Sequence, residues 1–171
     1  MPDAGVYYPP AAFYFEVTVL SAPGSPWNAT DVDGSFQEIS GLDRELDVEE
    51  VREGGENRFT YRLPKRGKHP NLVLKRGVVS ETSALAEWAE ATIGSYFIKP
   101  IQPRSLQVKL LSVDKAPLIL WTFANAYPTK WVTSSLNASE NKIAVETLEM
   151  AYTSVERRVF KFRSPERIGQ G

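Results

Sequence analysis

Few side chains in this sequence are of the kinds that do covalent or acid–base chemistry, and their spacing does not gather them. The 171 residues include a single histidine, His69, in Lys68-His69-Pro70, and no cysteine. His69 has no thiol to activate and no second histidine with which to hold a metal. Disulfides and thiolate metal sites are excluded outright. A nucleophilic serine on a Gly-x-Ser-x-Gly elbow is not found, and Gly54-Gly55 and Gly67 make neither a dinucleotide fingerprint nor a phosphate loop. Carboxylates remain. Asp43, Glu45, Asp47, Glu49, Glu50, Glu53 and Glu56 lie in one stretch, opposed only by Arg44 and Arg52. Two carboxylates at the right separation hydrolyse a glycosidic bond. Nothing in this spacing selects a pair, and alternate acids on a strand point one way, so the stretch reads as a solvated or partner-facing strand. The expectation is a non-enzyme without catalytic, cofactor-binding or metal-ligating residues.

Basic residues form separate blocks: Lys65-Arg66-Gly67-Lys68, and a tail with Arg157, Arg158, Lys161, Arg163 and Arg167. They can touch phosphate, or meet the acidic strand of a neighbouring copy. Opposite charges in separate blocks are what a self-complementary assembly uses for orientation. The candidate assembly residues are therefore Glu45, Asp47 and Glu49 against Lys65, Arg66 and Lys68 of another subunit. Val159, Phe160 and Phe162 in the tail are apolar enough to continue the last strand or enter a neighbour's groove. Trp27, in a Pro-rich loop, also hints at a contact, whereas Trp88, Trp121, Trp131, Tyr61 and Tyr127 read as core.

The elements that would carry these residues are mostly strands. Phe13, Phe15, Val17 and Val19 alternate with polar neighbours, the period of a half-buried strand. Ala22 to Gly34 is a loop by composition, and Gln37 to Ser40 a short strand ended by Gly41. Arg44 to Glu53 and the run Phe59, Tyr61, Leu63 read as an antiparallel hairpin turning at Glu53 to Asn57. A basic loop, Pro64 to Pro70, and a strand Leu72 to Lys75 follow. Then the period changes: Leu85, Trp88, Ala89 and Thr92 share one face of a helix, capped by Ser80, Thr82 or Ser83 and ended by Gly94. Leu106 to Leu110, Leu118 to Ala124 and Ile143 to Tyr152 complete the strands.

Composition bounds the class. With 42% hydrophobic residues and a net charge of −1, from 20 Lys plus Arg against 21 Asp plus Glu, the chain suits one globular domain and not a dedicated nucleic-acid binder. The start, Met1 to Gly5, has no secretory pattern, and the longest apolar run, Ala116 to Trp121, is too short to span a bilayer. A soluble protein made in the cytoplasm, without membrane insertion, is expected. Two sequons, at Asn28 and Asn137, read as turn residues.

The chain also carries short motifs in a fixed order. These are Phe36-Gln37-Glu38-Ile39-Ser40-Gly41-Leu42, Glu53-Gly54-Gly55-Glu56-Asn57, Leu72-Val73-Leu74-Lys75-Arg76-Gly77, Asn125-Ala126-Tyr127-Pro128 and Ala144-Val145-Glu146-Thr147-Leu148-Glu149. As a set, from about Tyr8 to Tyr152, they resemble the tail-tube protein family of contractile phage tails and phage-tail-like injection machines. Tyr8-Pro9-Pro10, Leu63-Pro64 and Trp88 fit the same pattern. The resemblance implies a mainly β fold: an antiparallel β-sandwich or barrel with one flanking α-helix, shared with type VI secretion tube proteins. It implies hexameric rings stacked around a lumen, with sheath and baseplate or spike proteins as partners, a possible cargo, no cofactor and no specific nucleic acid. It divides the chain into a tail-tube-like β domain, 1–152, and a basic C-terminal extension, 153–171. The extension and the long loop at Ala22 to Gly34 depart from the bulk pattern. They keep a tube-initiator ring, joining tube to baseplate hub, beside the plain tube subunit. A small β-barrel binding protein or a cell-wall hydrolase of the same machine are the other readings.

Overall fold

The structure is a computed structural model, and it describes residues 13–20, 31–52, 54–55, 58–78, 83–96, 98, 100–134 and 144–160. The described strands are β1 (Tyr14–Leu20), β2 (Asp31–Phe36), β3 (Glu38–Ser40), β4 (Glu45–Val51), β5 (Tyr61–Lys68), β6 (Leu72–Gly77), β7 (Arg104–Leu111), β8 (Pro117–Thr133), β9 (Val145–Ala151) and β10 (Ser154–Val159). The helix α1 (Ala84–Ala89) runs into a π-helical turn, Glu90–Gly94.

Eight strands form one antiparallel system in the order β2-β1-β7-β8-β9-β6-β3, with β10 also on β8. Its two end strands are consecutive in the chain, with only Gln37 between them, and the Gln37 N–H donates to the Lys75 carbonyl of β6 at 2.9 Å. The system therefore curls into a flattened barrel, with two layers joined at one corner by β2-β3 and at the other by β8. The 17-residue β8 serves both layers. Residues 117–126 pair with β7, and residues 127–133 with β9. At the crossing Asn125 takes φ +52°, a left-handed conformation that asparagine tolerates better than most residues. The Asn-Ala-Tyr-Pro motif is thus a bend within a strand.

Alternation fills the interior. Val17, Val19, Leu72, Leu74, Leu106, Val108, Phe123, Leu148 and Met150 are buried in one cluster with Leu85, Trp88 and Ala89 of the helix. Ser83 is the N-cap, accepting from the Ala86 N–H at 3.1 Å. Trp88 lies under the barrel, donates from Nε1 to the Gln102 carbonyl at 3.2 Å, and is covered by the Arg104 guanidinium, 5.2 Å from its ring. Burial pushes Arg104 below its usual pKa. A second arginine fixes the other end of the helix. Arg76 Nε donates to Glu146 at 2.8 Å and its Nη2 to Ser83 Oγ at 2.8 Å, while Trp131 Nε1 donates to the other Glu146 oxygen.

Several local expectations change. Residues 31–34, read as loop by composition, belong to β2, because the open edge of β1 offers hydrogen bonds to any adjacent segment. The basic stretch after Pro64 is strand, not loop, as far as Lys68. Proline is tolerated there because β5 has a partner on one side only. Tyr61 is exposed on that strand, not in the core. Ser80, Thr82, Trp27, Phe162 and both sequons lie outside the described residues.

Candidate assembly interface

β4 and β5 form a two-stranded hairpin that joins no other sheet. The chain leaves the barrel at Gly41, whose φ is +82° and where a Cβ would lie 1.9 Å from the Asn71 carbonyl oxygen. Only glycine lets the outgoing and returning strands approach that closely. The neck is pinned twice more: His69 stacks on Tyr152 with ring centroids 4.1 Å apart, and Arg44 Nη2 donates to the Val155 carbonyl at 2.7 Å. Tyr152 packs edge-on against Phe123 in the core. Burial, the larger effect, and the nearby Asp43 carboxylate raise the Tyr152 phenol above its ordinary pKa, against an opposing pull from Arg44.

Beyond the neck the hairpin is exposed on both faces. Leu46, Val48, Val51, Tyr61 and Leu63 all face solvent, Leu46 at 57% and Leu63 at 51%. An isolated two-stranded hairpin is marginal in water, and grouped exposed apolar side chains mark an interaction surface. The acidic and basic residues singled out in the sequence fall here as well. Glu45, Asp47 and Glu49 are on β4, and Lys65, Arg66 and Lys68 on β5. Within one chain they already face each other: Lys65 Nζ lies 3.2 Å from Glu49, and Lys68 pairs with Asp47. The hydrogen bond to Asp47, then its charge, with a smaller contribution from Glu45, holds the Lys68 ammonium above its usual pKa. Exposed pairs of this kind contribute little to stability. They are consistent with the hairpin register and leave Glu45, Glu50, Arg62 and Arg66 outside these pairs.

Val159, the last residue of β10, and Phe160 just after it are exposed, on the strand whose Val155 carbonyl the neck residue Arg44 holds. Sequence reasoning missed Tyr96 and Ile98, which stand 85% and 86% exposed just after the π-helical turn. It also missed Arg44 as the neck anchor. No sequence signal marks either, since exposure and a contact 111 positions away are properties of the folded chain. Among the described residues no group of His, Asp and Glu side chains is placed to hold a metal, and no helix is long and apolar enough to cross a membrane.

The T4-like virus tail tube protein gp19 family matches residues 11–156. No curated protein matches the chain. Solved structures do. A chain of the anti-feeding prophage baseplate, from a 6-fold symmetrised cryo-EM structure, is 28% identical, with a TM-score of 0.76 over 91% of this chain and 99% of that one. A chain of the extracellular contractile injection system PVC, from its sheath–tube complex in the extended state, is 25% identical, with a TM-score of 0.71 over 91% of this chain and 95% of that one. Hcp1 from Flavobacterium johnsoniae shares the fold at 17% identity, with a TM-score of 0.53 over 88% of this chain and 99% of the other.

Proposed function

This chain belongs to the T4-like virus tail tube protein gp19 family, and from that membership we propose that it is a structural subunit of the inner tube of a contractile injection system, acting in stacked hexameric rings and not as a catalyst. The observation that carries this reading is the hairpin. Its two faces hold apolar side chains that nothing else in the described chain covers. Such a surface is stable only when a neighbour buries it. Ring closure also protects the strand edges that the monomer leaves open. Support comes from the sheath–tube complex and the 6-fold symmetrised baseplate in which similar chains occur. The partners under this reading are copies of itself, then sheath and baseplate proteins, in a phage-tail-like particle.

A second reading is a tube-initiator or terminal ring. The 28% identical chain comes from a baseplate, and a 26% identical one from a tube-terminating cap. Negative-stain imaging beside the solution mass decides between them. Stacked tubes of indefinite length support the inner-tube role, single rings that do not elongate support the initiator, and a monomer at every concentration removes both.

A further inference from the structure

Strand β10 lies on β8 along one side only; its other side is open among the described residues. The Phe160 N–H donates to the Leu118 carbonyl of β8, so the even-numbered residues of this run bond inward. In an antiparallel ladder the alternate residues turn their N–H and C=O groups the other way. Here these are Val155, Arg157 and Val159. The Val155 carbonyl is taken by Arg44 of the same chain. Arg157 and Val159 are left facing outward, and the side chains of Arg157 and Arg158 are exposed, with no ion pair to a described residue.

We propose that this edge receives the outer edge of β4 from a second copy of the chain, antiparallel, with Arg157 opposite Glu50, Arg158 opposite Glu49 and Val159 opposite Val48. An unpaired strand edge is a template for another strand; among the other described edges β2 and β3 carry no adjacent pair of acids, and β5 and the second half of β8 suit it poorly. β5 carries Arg62, Lys65, Arg66 and Lys68, like charges to the arginines, and Pro64 has no N–H to donate. The second half of β8 carries Pro128 and Lys130. β4 has neither proline nor cation and holds Glu45, Asp47, Glu49 and Glu50. Adjacent residues of a strand point to opposite faces. The Arg157-Arg158 pair set against Glu49-Glu50 therefore forms one ion pair on each face, and Lys65 extends one of them through its contact with Glu49. Val48 and Val159, 46% and 56% exposed in the monomer, cover one another. Within one chain β4 does not pair with β10, so the contact joins two different patches of two copies, the head-to-tail kind that closes rings.

This inference rests on the tube-subunit reading, and its test separates the two. The chain has no cysteine, so introduced thiols report cleanly. Directly opposite residues lie about 4.5–5.5 Å apart between Cα atoms, within disulfide reach. Oxidation of the Val48→Cys/Val159→Cys double variant should give a covalent ladder beyond the dimer, whereas each single variant stops at the dimer. Arg157→Glu/Arg158→Glu should raise the concentration needed for assembly about tenfold or more, and adding Glu49→Arg/Glu50→Arg should recover part of that loss. Wild-type rings together with unchanged assembly of the reversed-arginine variant and no ladder would overturn the proposed pairing while leaving the tube reading standing. A wild-type chain that stays monomeric at every concentration removes the tube reading, and the pairing with it.

Discussion

Gly41 and Trp88 are the residues on which the most depends. Gly41 is held at φ +82° with its α-carbon against the Asn71 carbonyl. An alanine there meets both the left-handed penalty and a backbone clash, and should cost about 2 kcal/mol or more, read by denaturant unfolding. Trp88 is 2% exposed, and Trp88→Ala should cost about 3–5 kcal/mol. A loss under about 0.5 kcal/mol, the scale of a neutral surface change, would place the helix elsewhere. Trp88 could be chosen from spacing alone, because a 3.6-residue period picks out the buried face. Gly41 could be flagged only as a strand stop, since its partner Asn71 is 30 positions away. The Tyr152 phenol gives a pH test. Its pKa is raised in the fold, so the folded state holds its proton more tightly than the unfolded one. The stability this provides is complete below the ordinary value near 10 and is lost as pH rises through the folded value. Wild type should therefore lose more stability above pH 10 than Tyr152→Phe does, in parallel thermal melts.

At the scale of elements the barrel and the hairpin behave oppositely. The barrel strands owe their stability to a shared core, whereas β4 and β5 contribute nothing to it. Replacing Leu46, Val48 and Leu63 together by serine and threonine should leave the unfolding free energy of the isolated chain within about 0.5 kcal/mol for each change. The same variant should fail to assemble, as seen by sedimentation. A large loss of monomer stability would instead mean that the hairpin packs on its own barrel. The hairpin is legible in the sequence because its acidic and apolar positions alternate, although the part of its second strand after Leu63 reads as a basic loop. Proline and four cations argue against a central strand, and an edge position with one partner relaxes that objection. The acids and bases were expected to face another subunit. Within the chain the hairpin register brings Asp47 to Lys68 and Glu49 to Lys65, and the proposed pairing draws on Arg157 and Arg158 instead.

For the whole molecule the proposed pairing means assembly through strand edges. Among the described residues the outer side of β10 stays open and the apolar surface of the hairpin stays uncovered, and the proposed pairing gives both a neighbour. Concentrated protein should form rings or tubes, and salt should weaken their formation, because the complementary charges on β4 and β10 are exposed and screened. Light scattering across a salt series measures this. Salt-independent assembly would mean that apolar contact through Leu46, Leu63, Tyr96 or Ile98 drives association more than charge does.

The sequence by itself determined the strand-rich class, the single helix and its buried face, the hairpin and the absence of thiol chemistry. All of these rest on local periodicity and residue type, which need no knowledge of neighbours in space. The family could be named from ordered motifs for the same reason: Gly41 and Asn125 sit at a turn and a bend where φ is positive, and Leu72–Gly77 and residues 145–149 are alternating strand segments. Only the tertiary structure decided that β8 bends at Asn125 to serve two layers, that β2 and β3 close the barrel, and that Arg76, Glu146, Ser83 and Trp131 meet in one network. It also decided which charges are already neutralised within the chain. Those outcomes depend on register between segments far apart in sequence, and shifting a strand by one residue moves every side chain to the other face. No local pattern encodes that choice; the packing of the shared core makes it.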